Sequence, residues 1–599
     1  MNLDLEAKLS QFKANFRREV REAAQKLLTE EMPSITEELF GLYEKNGNRV
    51  LYERVYFTRR KFLAVFGLEA IAQRENLLPL RETESSILEK LALIIEDICR
   101  EECWALPPHV NRKEEGWRTT VDLFAAETAQ ALAELASRLS GKLPQYTIEC
   151  IRENVERRVF LPYFTSGIPY RNWENGPHNW NGVCAGAIGS ACIHLMKDDR
   201  QRLKDCLTRI CGSLEYYLKG FAEDGACTEG LGYYTYGMAF FSNFAQELFD
   251  LTGGQYDLFN GEWGELSGGA EDKRRKIAGF ERKCFFRDGR TLSFADGSSR
   301  GSFRAGFSCV LAMHYPNFIF PDFSSAAGLD SNGCYHFTDL KMDLLMPDRL
   351  KVLLKDSVAP EPMDVFSPLD VLPAAQWVVA RSQAGPCMAC KGGHNMEFHN
   401  HNDVGHFIYE GGGELFFTDL GAGEYRKGYF GEGRYEVLCN SSLGHSVPIV
   451  NGKPQPAGKE YGCGSFDAEQ WDGRVLVKMD LAEAYERGAV KSLRRTLEFD
   501  LVSGKLAVCD SVRMGSKQSM TENLVTQLCP VVEGERVLLS SGGMFCVLRL
   551  PEKAQARVRE YSHSNHKGVM EKVYAIQWEV DLTEGAGISQ YFIELEGMK

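Results

Sequence analysis

The segment EFHNHNDVGHF brings two histidines and an aspartate, His399, His401 and Asp403, to alternate positions. If it forms a strand, their side chains lie on one face, because side chains in a strand alternate with a period of two. Asp419 in FFTDLGAG and His445 in NSSLGHSV follow farther along the chain. With His401, they offer nitrogen and oxygen ligands suited to a divalent metal such as zinc. A polar strand with hydrogen-bonded surface histidines would carry the same residues, so the spacing leaves both interpretations open.

A second group of polar residues stands in PHNWNGVCAGAIG, where Asn179 and Asn181 flank a tryptophan. The glycines and other small residues that follow predict a helix start packed closely on its neighbours. Amide side chains at such a position can hydrogen-bond a carboxylate, in its charged or its neutral form. Asparagines that merely cap the helix would give the same pattern.

A third group is the glycine-rich stretch DGACTEGLGYYTYG, which runs from Asp224 to Gly237. It predicts a turn that opens a helix, with Tyr233 and Tyr236 at i and i+3 and therefore on one face. A tyrosine at the mouth of a cleft can donate or accept a proton during catalysis. The alternative is that these rings pack against the helical core.

The elements that must position these groups change character along the chain. Residues 121–139, VDLFAAETAQALAELASRL, place their apolar side chains at helical spacing, and 9–28, 86–99 and 236–251 repeat the pattern. Loops rich in glycine, proline and aromatic residues separate these segments. The first 350 or so residues are therefore predicted to form helical hairpins packed in layers.

From about residue 370, β-branched and aromatic residues alternate with polar ones, as in 406–421, 474–486 and 496–514. Ser503-Gly504 stands between two alternating runs and predicts a hairpin. Strands with frequent turns are typical of antiparallel sheets packed as a sandwich. We therefore predict an α+β chain of two domains, helical over 1–365 and β over 370–599.

The composition excludes several classes of function. The chain has 599 residues, of which 44% are apolar and 25% charged, as in ordinary globular proteins. With 83 acidic and 69 basic residues, its net charge is −14, which argues against a nucleic-acid partner. No apolar stretch approaches the ~18 residues of a membrane span, so no membrane partner is expected.

The N-terminus is charged and amphipathic, and it lacks the apolar core of a signal peptide. The 18 cysteines are scattered singly, which favours free thiols in a reducing compartment over a disulfide framework. We therefore expect a cytoplasmic protein, or a periplasmic or secreted one if a signal sequence has been removed.

Taken in order, these motifs resemble those of the heparinase II/III-like polysaccharide lyases. The matching segments are N-W-N-x-V-C-x-G, D-G-x-x-x-E-G-x-G-Y-x-x-Y-G and the series H-x-H-x-D, D-x-G, R-Y and H. The resemblance spans most of the chain. It implies an incomplete (α/α) toroid followed by an antiparallel β-sandwich, and cleavage of uronic-acid-containing polysaccharides by β-elimination.

In this chemistry the uronate carboxylate is neutralised by hydrogen bonds, which stabilises the enolate that forms when the C5 proton leaves. The resemblance implies this role for Asn181 first and Asn179 second. Some relatives place a histidine just after N-W-N, where this chain has Cys184 and Ala185. That departure shifts the role to asparagine. The proton-transfer groups implied are Tyr236, or Tyr234 two positions earlier, and His399.

The resemblance also implies that His401, Asp419 and His445 bind a structural divalent metal. Zinc suits these ligands best, and manganese and calcium are compatible with them. The expected partner is an acidic oligo- or polysaccharide such as heparan sulfate, chondroitin or hyaluronan. We expect Trp180, Arg171, Arg300 and Arg434 to bind it, because a polyanion needs basic groups in a chain of net charge −14.

Two other functions fit the same residues. The first is an alginate-oligosaccharide lyase, which uses the same chemistry on a different sugar. The second is a non-catalytic carbohydrate-binding protein on the same scaffold. The sequence leaves the choice of glycan open, and equally the choice between a monomer and a homo-oligomer.

Overall fold

The computed structural model describes residues 3–77, 84–261, 270–315, 317–353, 366–515 and 519–596. Helices occupy the N-terminal part, and antiparallel sheets follow, which confirms the predicted fold class. The helices are α1 (Leu3–Leu27), α2 (Glu37–Asn46), α3 (Val50–Arg74), α4 (Glu84–Cys99), α5 (Leu123–Arg138), α6 (Gln145–Val155), α7 (Leu161–Phe164), α8 (Asn179–Leu195), α9 (Arg200–Lys219), α10 (Leu231–Leu251), α11 (Ala270–Ala278), α12 (Phe280–Lys283), α13 (Ala305–His314) and α14 (Phe337–Leu353).

Four of these helices lie close to the segments that helical periodicity predicts. The segment predicted at 121–139 forms α5, whose N-cap Asp122 accepts a hydrogen bond of 2.8 Å from the backbone N–H of Ala125. Such a cap satisfies one of the donors that a helix start leaves unpaired. The other three predicted segments form α1, α4 and the greater part of α10.

Helix α8 packs as closely on its neighbours as its glycines predict. A Cβ at Gly186 would lie 2.7 Å from the carbonyl oxygen of Phe240, and one at Gly182 would lie 3.1 Å from that of Gly237. Only glycine allows backbones to approach so closely. The segment therefore fixes where α8, and the asparagines at its start, lie against the first turns of α10.

Nineteen strands are found in the described part of the chain: β1 (Leu369–Leu372), β2 (Trp377–Arg381), β3 (Cys387–Lys391), β4 (His394–Asn395), β5 (Phe407–Gly411), β6 (Glu414–Phe417), β7 (Ile449–Val450), β8 (Gly458–Gly462), β9 (Ser465–Trp471), β10 (Arg474–Asp480), β11 (Val490–Asp500), β12 (Leu506–Met514), β13 (Met520–Thr526), β14 (Val531–Glu533), β15 (Arg536–Ser541), β16 (Met544–Arg549), β17 (Arg557–Ser564), β18 (Met570–Glu579) and β19 (Ala586–Glu596).

These strands form antiparallel sheets. The largest has eight strands in the order β14-β15-β16-β19-β12-β11-β10-β9, and the others have five (β1-β2-β3-β5-β6), four (β17-β18-β13-β7) and two (β4-β8). The predicted hairpin at Ser503-Gly504 is confirmed, since β11 and β12 pair with Phe499 opposite Leu506. Burial alternates along β10, as a strand with one face on the core requires.

The chain divides into two units by contact. Unit 1 consists of Met1–Phe221, Tyr234–Ala278 and Ser302–Met363, and unit 2 of Ala222–Tyr233, Gly279–Gly301 and Asp364–Lys599. Two short segments of the predicted helical domain thus belong with the sheets, and they carry Tyr233 and Asp296. The predicted boundary at 365–370 adjoins residues 354–365, which lie outside the described ranges.

None of the helices in the described ranges combines the length and the apolar content that a membrane crossing requires. All 18 cysteines are free thiols, and most of them are buried.

Candidate active site

The HNHND motif lies in a loop of unit 2, so the strand that its alternate spacing would allow does not form. Regular strand structure begins only at Phe407, and His399 has a φ of +56°, in the left-handed region. The backbone N–H of Asn402 donates to the carbonyl of Asn440 (3.0 Å), and the hydroxyl of Ser442 donates to the carbonyl of Asn402 (2.6 Å). These bonds to residues 440–442 replace a strand ladder.

Both histidines of the motif bind one carboxylate, that of Asp296. His399 Nδ1 lies 2.8 Å from Asp296 Oδ2, and His401 Nε2 lies 3.2 Å from Asp296 Oδ1. The side chain of Asp296 is completely buried. Burial alone would raise its pKa, but the hydrogen bonds from His399 and His401 outweigh burial and hold the pKa well below the ordinary value. Asp296 is therefore an ionised acceptor for both rings.

Two tyrosine hydroxyls also lie within hydrogen-bond distance of Asp296. Tyr425 donates to Oδ2 at 2.9 Å, and the hydroxyl of Tyr429 lies between Asp296 Oδ1 (3.1 Å) and Asn440 Oδ1 (3.0 Å), either of which can accept its one proton. The hydroxyl of Tyr233 lies 2.6 Å from that of Tyr425. Because the one hydroxyl proton of Tyr425 points to Asp296, Tyr233 must be the donor in this pair. The hydrogen bonds therefore run from Tyr233 through Tyr425 to the carboxylate.

Tyr233 also contacts His399 directly. The two rings are stacked with their centroids 4.1 Å apart. Burial raises the pKa of the Tyr233 hydroxyl well above its ordinary value. The phenol therefore keeps its proton at neutral pH beside an imidazole whose Nδ1 is fixed by Asp296. Oε2 of Glu229 lies 3.9 Å from His399 Nε2, beyond hydrogen-bond range.

Arg434 supports the same carboxylate. Its Nη2 lies 3.4 Å from Asp296 Oδ2 and donates to the carbonyl of Asn400 at 3.0 Å. Its side chain is only 8% exposed, and Phe430 covers the guanidinium at 5.1 Å. Nη2 of Arg434, a residue predicted to bind substrate, is thus used within the protein, whereas its Nη1 has no hydrogen-bond partner in the described part of the chain.

The three predicted metal ligands come together, and Asp403 joins them. The ligand atoms of His401, Asp403, Asp419 and His445 all lie within 4.8 Å of one another, and all four residues are buried. The ring of His445 donates its Nε2–H to the carbonyl of Cys439 (2.7 Å), and that of His401 donates its Nε2–H to Asp296. Each ring therefore presents Nδ1 as a lone pair, the form in which histidine binds metals.

The two carboxylates are arranged in the same way. Asp403 Oδ1 accepts from the ammonium of Lys391 at 2.7 Å, and Asp419 Oδ1 accepts from the backbone N–H of Gly421 at 2.8 Å. The other oxygens, Oδ2 of both aspartates, have no hydrogen-bond partner in the described part of the chain, and the same holds for Nδ1 of His401 and His445. Four buried, unsatisfied lone pairs that converge are costly unless a cation binds them.

His406 lies beside this group but does not fit as a ligand. Its Nδ1 accepts a hydrogen bond from the backbone N–H of Ser446 at 2.9 Å, so its Nε2 carries the proton in the neutral ring. Nε2 is 3.5 Å from Asp419 Oδ2 and makes no hydrogen bond within the described part of the chain. Burial lowers the pKa of His406 well below its usual value, which keeps the ring neutral.

The charges in this group agree with a cation site. Burial and the nearby Asp403 raise the pKa of Asp419 well above its ordinary value, and burial lowers the pKa of His445 to about 3. Two carboxyl groups and two imidazoles thus face each other, and the ammonium of Lys391 lies 2.7 Å from one of the carboxylates, that of Asp403. A divalent cation would remove the penalty of burying both carboxylates. The residues present therefore fit a metal ion.

A second group of possible ligands, Glu134, His194 and Glu247 in unit 1, has a different explanation. The buried ammonium of Lys341 lies 2.9 Å from Glu134 and 3.1 Å from Glu247. It supplies the positive charge that a metal would bring. We therefore interpret this group as a buried ion-pair network.

Asn181 has a structural role, which corrects its prediction as the first carboxylate-binding residue. Its Nδ2 donates to the backbone carbonyls of Glu174 (3.0 Å), Gly176 (3.0 Å) and Ser213 (2.9 Å), and its Oδ1 lies 2.9 Å from the hydroxyl of Ser213. The residue is completely buried. An amide used in this way has no donor left for a substrate.

Asn179 and Trp180 stand at the start of α8 in unit 1. Asn179 is the first residue of the helix and is buried. Trp180 lines a cavity of about 300 Å³, together with Arg171 and His109, and the rings of Trp180 and His109 meet edge to face at 4.7 Å. Arg171 is exposed and lies 3.5 Å from Glu114. Both predicted substrate contacts of unit 1 thus lie at one cavity.

The predicted tyrosines Tyr234 and Tyr236 lie in unit 1. Tyr234 is completely buried and donates its hydroxyl to the backbone carbonyl of Ile277 at 2.9 Å, so its role is structural. Tyr236 donates to a carboxylate oxygen of Glu127, and the other oxygen of Glu127 lies 2.7 Å from His336 Nδ1. Burial and Glu127 raise the pKa of Tyr236 well above its ordinary value.

The remaining predicted substrate contact, Arg300, is an exposed residue of unit 2. The sequence analysis did not identify the central residue Asp296 or the two tyrosines, Tyr425 and Tyr429, whose hydroxyls lie against its carboxylate. The two tyrosines stand four apart between Asp419 and Arg434, a clustering that could have been noticed. Asp296 stands in FADGS, where an aspartate before glycine predicts a turn, so no local signal pointed to it.

No protein-family model matches the sequence, and no curated protein matches it. Solved structures match nearly the whole chain. The heparan sulfate lyase HepC from Pedobacter heparinus superposes with a TM-score of 0.59 at 13% identity, over 99% of this chain and 88% of that one. Another structure, described as heparinase III, gives 0.59 at 13% identity, over 99% of this chain and 92% of that one.

A xanthan lyase from Paenibacillus gives a TM-score of 0.53 at 11% identity, over 100% of this chain and 59% of that one. At such identities the comparisons establish the fold. This chain shares the fold of the structures described as heparan sulfate lyase and heparinase III, and this is the fold that the sequence motifs predicted.

Proposed function

We propose that this protein is a polysaccharide lyase that cleaves uronic-acid-containing glycans by β-elimination. The observation that carries the proposal is the pair formed by Tyr233 and His399, stacked at 4.1 Å and joined through Asp296. The fold supports it, because the solved structures with this architecture are described as heparan sulfate and xanthan lyases. Fold alone does not fix chemistry, so the residues of the site carry the argument.

The reaction needs a base for the proton at C5 of the uronate and an acid for the leaving oxygen O4. His399 suits the base. Its Nδ1–H is bound to Asp296, so Nε2 carries the lone pair in the neutral ring. The ionised carboxylate of Asp296 stabilises the imidazolium that forms when Nε2 takes the proton.

Tyr233 suits the acid. Burial raises the pKa of its hydroxyl, which therefore holds its proton until the leaving oxygen needs it. Its hydroxyl donates to Tyr425 at 2.6 Å, and rotation about one bond would turn the same proton toward a substrate oxygen. The stacked rings keep base and acid side by side, as syn elimination from one face of a sugar requires.

The substrate carboxylate must also be neutralised. Because the amide of Asn181 is bound to the backbone, we assign this role to Asn179, the second asparagine of the motif. A neutralised carboxylate makes the C5 proton more acidic and lowers the barrier to its removal.

We further propose that His401, Asp403, Asp419 and His445 bind a structural zinc ion. Two imidazole nitrogens and two carboxylate oxygens make a four-ligand set of the kind zinc prefers, whereas calcium needs six or more oxygens. When bound, the metal would hold the loops around residues 401, 419 and 445 together. His399 itself remains outside the ligand set.

The test is to incubate the purified protein with heparan sulfate, chondroitin, hyaluronan and alginate and to follow the ultraviolet absorbance of the unsaturated uronate. We expect the signal with at least one glycan, and its loss in His399→Ala. A signal only with alginate would select that alternative. Glycan binding without any unsaturated product would establish the carbohydrate-binding alternative and overturn the lyase proposal.

A further inference from the structure

We propose that Asp296 is a positioning residue that holds the imidazoles of His399 and His401 in a fixed relation, so that occupancy of the metal site governs the geometry of the proton-transfer site. The inference rests on the proposed function for its kinetic part. Asp296 binds neither His399 Nε2, the proposed proton acceptor, nor His401 Nδ1, the proposed metal ligand. It binds the other nitrogen of each ring.

The two oxygens of the Asp296 carboxylate bind two different histidines. Oδ2 binds His399 Nδ1 at 2.8 Å and Oδ1 binds His401 Nε2 at 3.2 Å. Each ring is held by the nitrogen that it does not use elsewhere: His399 keeps Nε2 for a proton, and His401 keeps Nδ1 for the metal. A rotation of either imidazole would therefore displace the Asp296 carboxylate that holds the other one.

The backbone conformation of His399 requires support from surrounding contacts. Its φ of +56° lies in the left-handed region, which is unfavourable for a residue other than glycine. A residue persists in this conformation only when surrounding contacts determine it. The hydrogen bond to Asp296 and the stacked ring of Tyr233 are those contacts.

The backbone position of Asp296 is held by hydrogen bonds of its neighbours, not by its own side chain. The hydroxyl of Ser293 donates to the carbonyl of Asp419 at 3.1 Å, and the backbone N–H of Ala422 donates to the carbonyl of Gly297 at 3.3 Å. Ser293 and Gly297, on the two sides of Asp296, are thus hydrogen-bonded to the loop that contains Asp419, one of the proposed metal ligands. A change in its side chain should therefore leave the backbone in place.

The test uses Asp296→Asn, which keeps the size of the side chain. The amide can accept from one histidine through Oδ1, but its NH₂ group opposes the N–H of the other. Replacing such supporting partners of metal ligands typically costs 10–100-fold in activity or metal affinity. We expect kcat to fall about 10–100-fold with KM changed less than about threefold, because the substrate contacts remain.

Two readouts do not depend on turnover. The first is Co²⁺ binding, followed by its visible absorption. We expect Asp296→Asn to bind Co²⁺ about 10–100-fold more weakly, with an altered spectrum. The second is the NMR signal of the imidazole N–H protons in histidine-labelled protein. The signal lost in His399→Ala should also move in Asp296→Asn.

The control is Glu424→Gln, which removes one carboxylate of the same unit that binds Arg426 and Ser564. It should match the unmodified protein in all three measurements. If Asp296→Asn behaves like Glu424→Gln, the inference is overturned. Should Asp296→Asn fail to fold, Tyr425→Phe, which removes one donor to the carboxylate, is measured in its place and must shift the same His399 signal.

The failure of the lyase proposal would be distinguishable from the failure of this inference. If the unmodified protein cleaves none of the glycans, the Co²⁺ and NMR measurements still decide whether Asp296 links the two histidines. If it cleaves one, but Asp296→Asn leaves kcat and both spectra unchanged, the lyase stands and the positioning role of Asp296 falls.

Discussion

The phenol ring of Tyr233 lies stacked on the imidazole of His399, with the ring centroids 4.1 Å apart and the planes inclined by 23°. Tyr233 comes from a glycine-rich turn and His399 from a loop 166 residues later, yet both belong to unit 2. This contact is the reason why we propose Tyr233 as the proton donor in place of Tyr236, which the resemblance implied.

The first prediction follows from this transfer. Tyr233→Phe should lower kcat about 10²–10⁴-fold, the usual loss when a general acid or base is removed. Tyr236→Phe is the matched control: it removes a hydroxyl that donates to Glu127, so it should cost about 1 kcal/mol of stability and less activity. Initial rates from ultraviolet absorbance and melting temperatures of both variants check this. The reverse order of the two rates would return the role to Tyr236.

The second prediction separates the two histidines of the motif. His399→Ala should abolish turnover while metal stays bound, because His399 lies outside the ligand set. His401→Ala should lower metal content and melting temperature together, since metal affinity contributes to folding stability. Elemental analysis and thermal melts of both purified proteins provide the measurement. Equal metal loss in the two would mean that His399 is a ligand.

The helices, the sheets and three of the four possible metal ligands were predictable from the sequence because each leaves a local signature. Apolar residues at helical spacing mark α5, and alternation with a turn at Ser503-Gly504 marks the β11–β12 hairpin. His401, Asp419 and His445 stand in short motifs rich in polar residues and glycine. Such patterns depend only on residues close in sequence, so they can be recognised without knowledge of the fold.

The arrangement around His399 was not predictable, for three physical reasons. Its left-handed backbone is set by tertiary contacts with Asp296 and Tyr233, and alternate spacing gave no sign of it. Asp296 reaches the site from a segment about 100 residues earlier in the chain. The choice between Asn179 and Asn181 depends on which amide faces the backbone carbonyls of neighbouring loops, and both occupy the same type of motif.

The third prediction concerns metal removal. A metal present at ~1,000 times its Kd stabilises the folded state by about 4 kcal/mol. Unit 2 has about 270 residues, and for a unit of that size each kcal/mol shifts the melting temperature by about 2 °C. Chelation should therefore lower the melting temperature of unit 2 by about 8 °C, and added Zn²⁺ should restore it.

The control for metal removal is Asp403→Asn, which replaces one carboxylate of the ligand group. This variant should respond less to both chelator and Zn²⁺ in a thermal melt. A full response in Asp403→Asn would remove this residue from the site. A native protein that contains no metal and gains no stability from Zn²⁺, Mn²⁺ or Ca²⁺ would contradict the metal proposal as a whole.

The fourth prediction concerns pH and the stability of unit 1. Burial lowers the pKa of His314 to about 4, and its ring is stacked on Phe259 at 3.8 Å. The unfolded chain takes up this proton near pH 6.5, so stability falls as the pH drops from about 6.5 toward 4. The loss attributable to His314 is up to about 3 kcal/mol.

His314→Gln keeps a side chain that can donate to Gln246, as the ring does, but it does not titrate. Urea unfolding at about pH 7 and pH 4.5 should show a smaller pH dependence in the variant than in the unmodified protein. Equal pH dependence in the two would assign the effect to other groups.

The last prediction distinguishes the two asparagines of the N-W-N motif. Asn181→Ala removes an amide that binds three backbone carbonyls and a hydroxyl, and it leaves buried polar groups unpaired at about 1–3 kcal/mol each. It should lower the free energy of unfolding by several kcal/mol. The fraction that remains folded should turn over substrate at nearly the normal rate. Asn179→Ala should do the opposite, with near-normal stability and a large loss of kcat.

The acid side of the pH–rate profile gives a sharper comparison. In Asn179→Asp, a second carboxylate would face that of the substrate, and like charges so close resist joint ionisation. Activity should be nearly absent at neutral pH and partly return as the pH falls, because a protonated aspartate can again donate a hydrogen bond. Asn179→Ala has no proton to regain and should show no such return. If neither variant of Asn179 alters the profile, the substrate carboxylate is neutralised by another group, and an arginine becomes the next candidate.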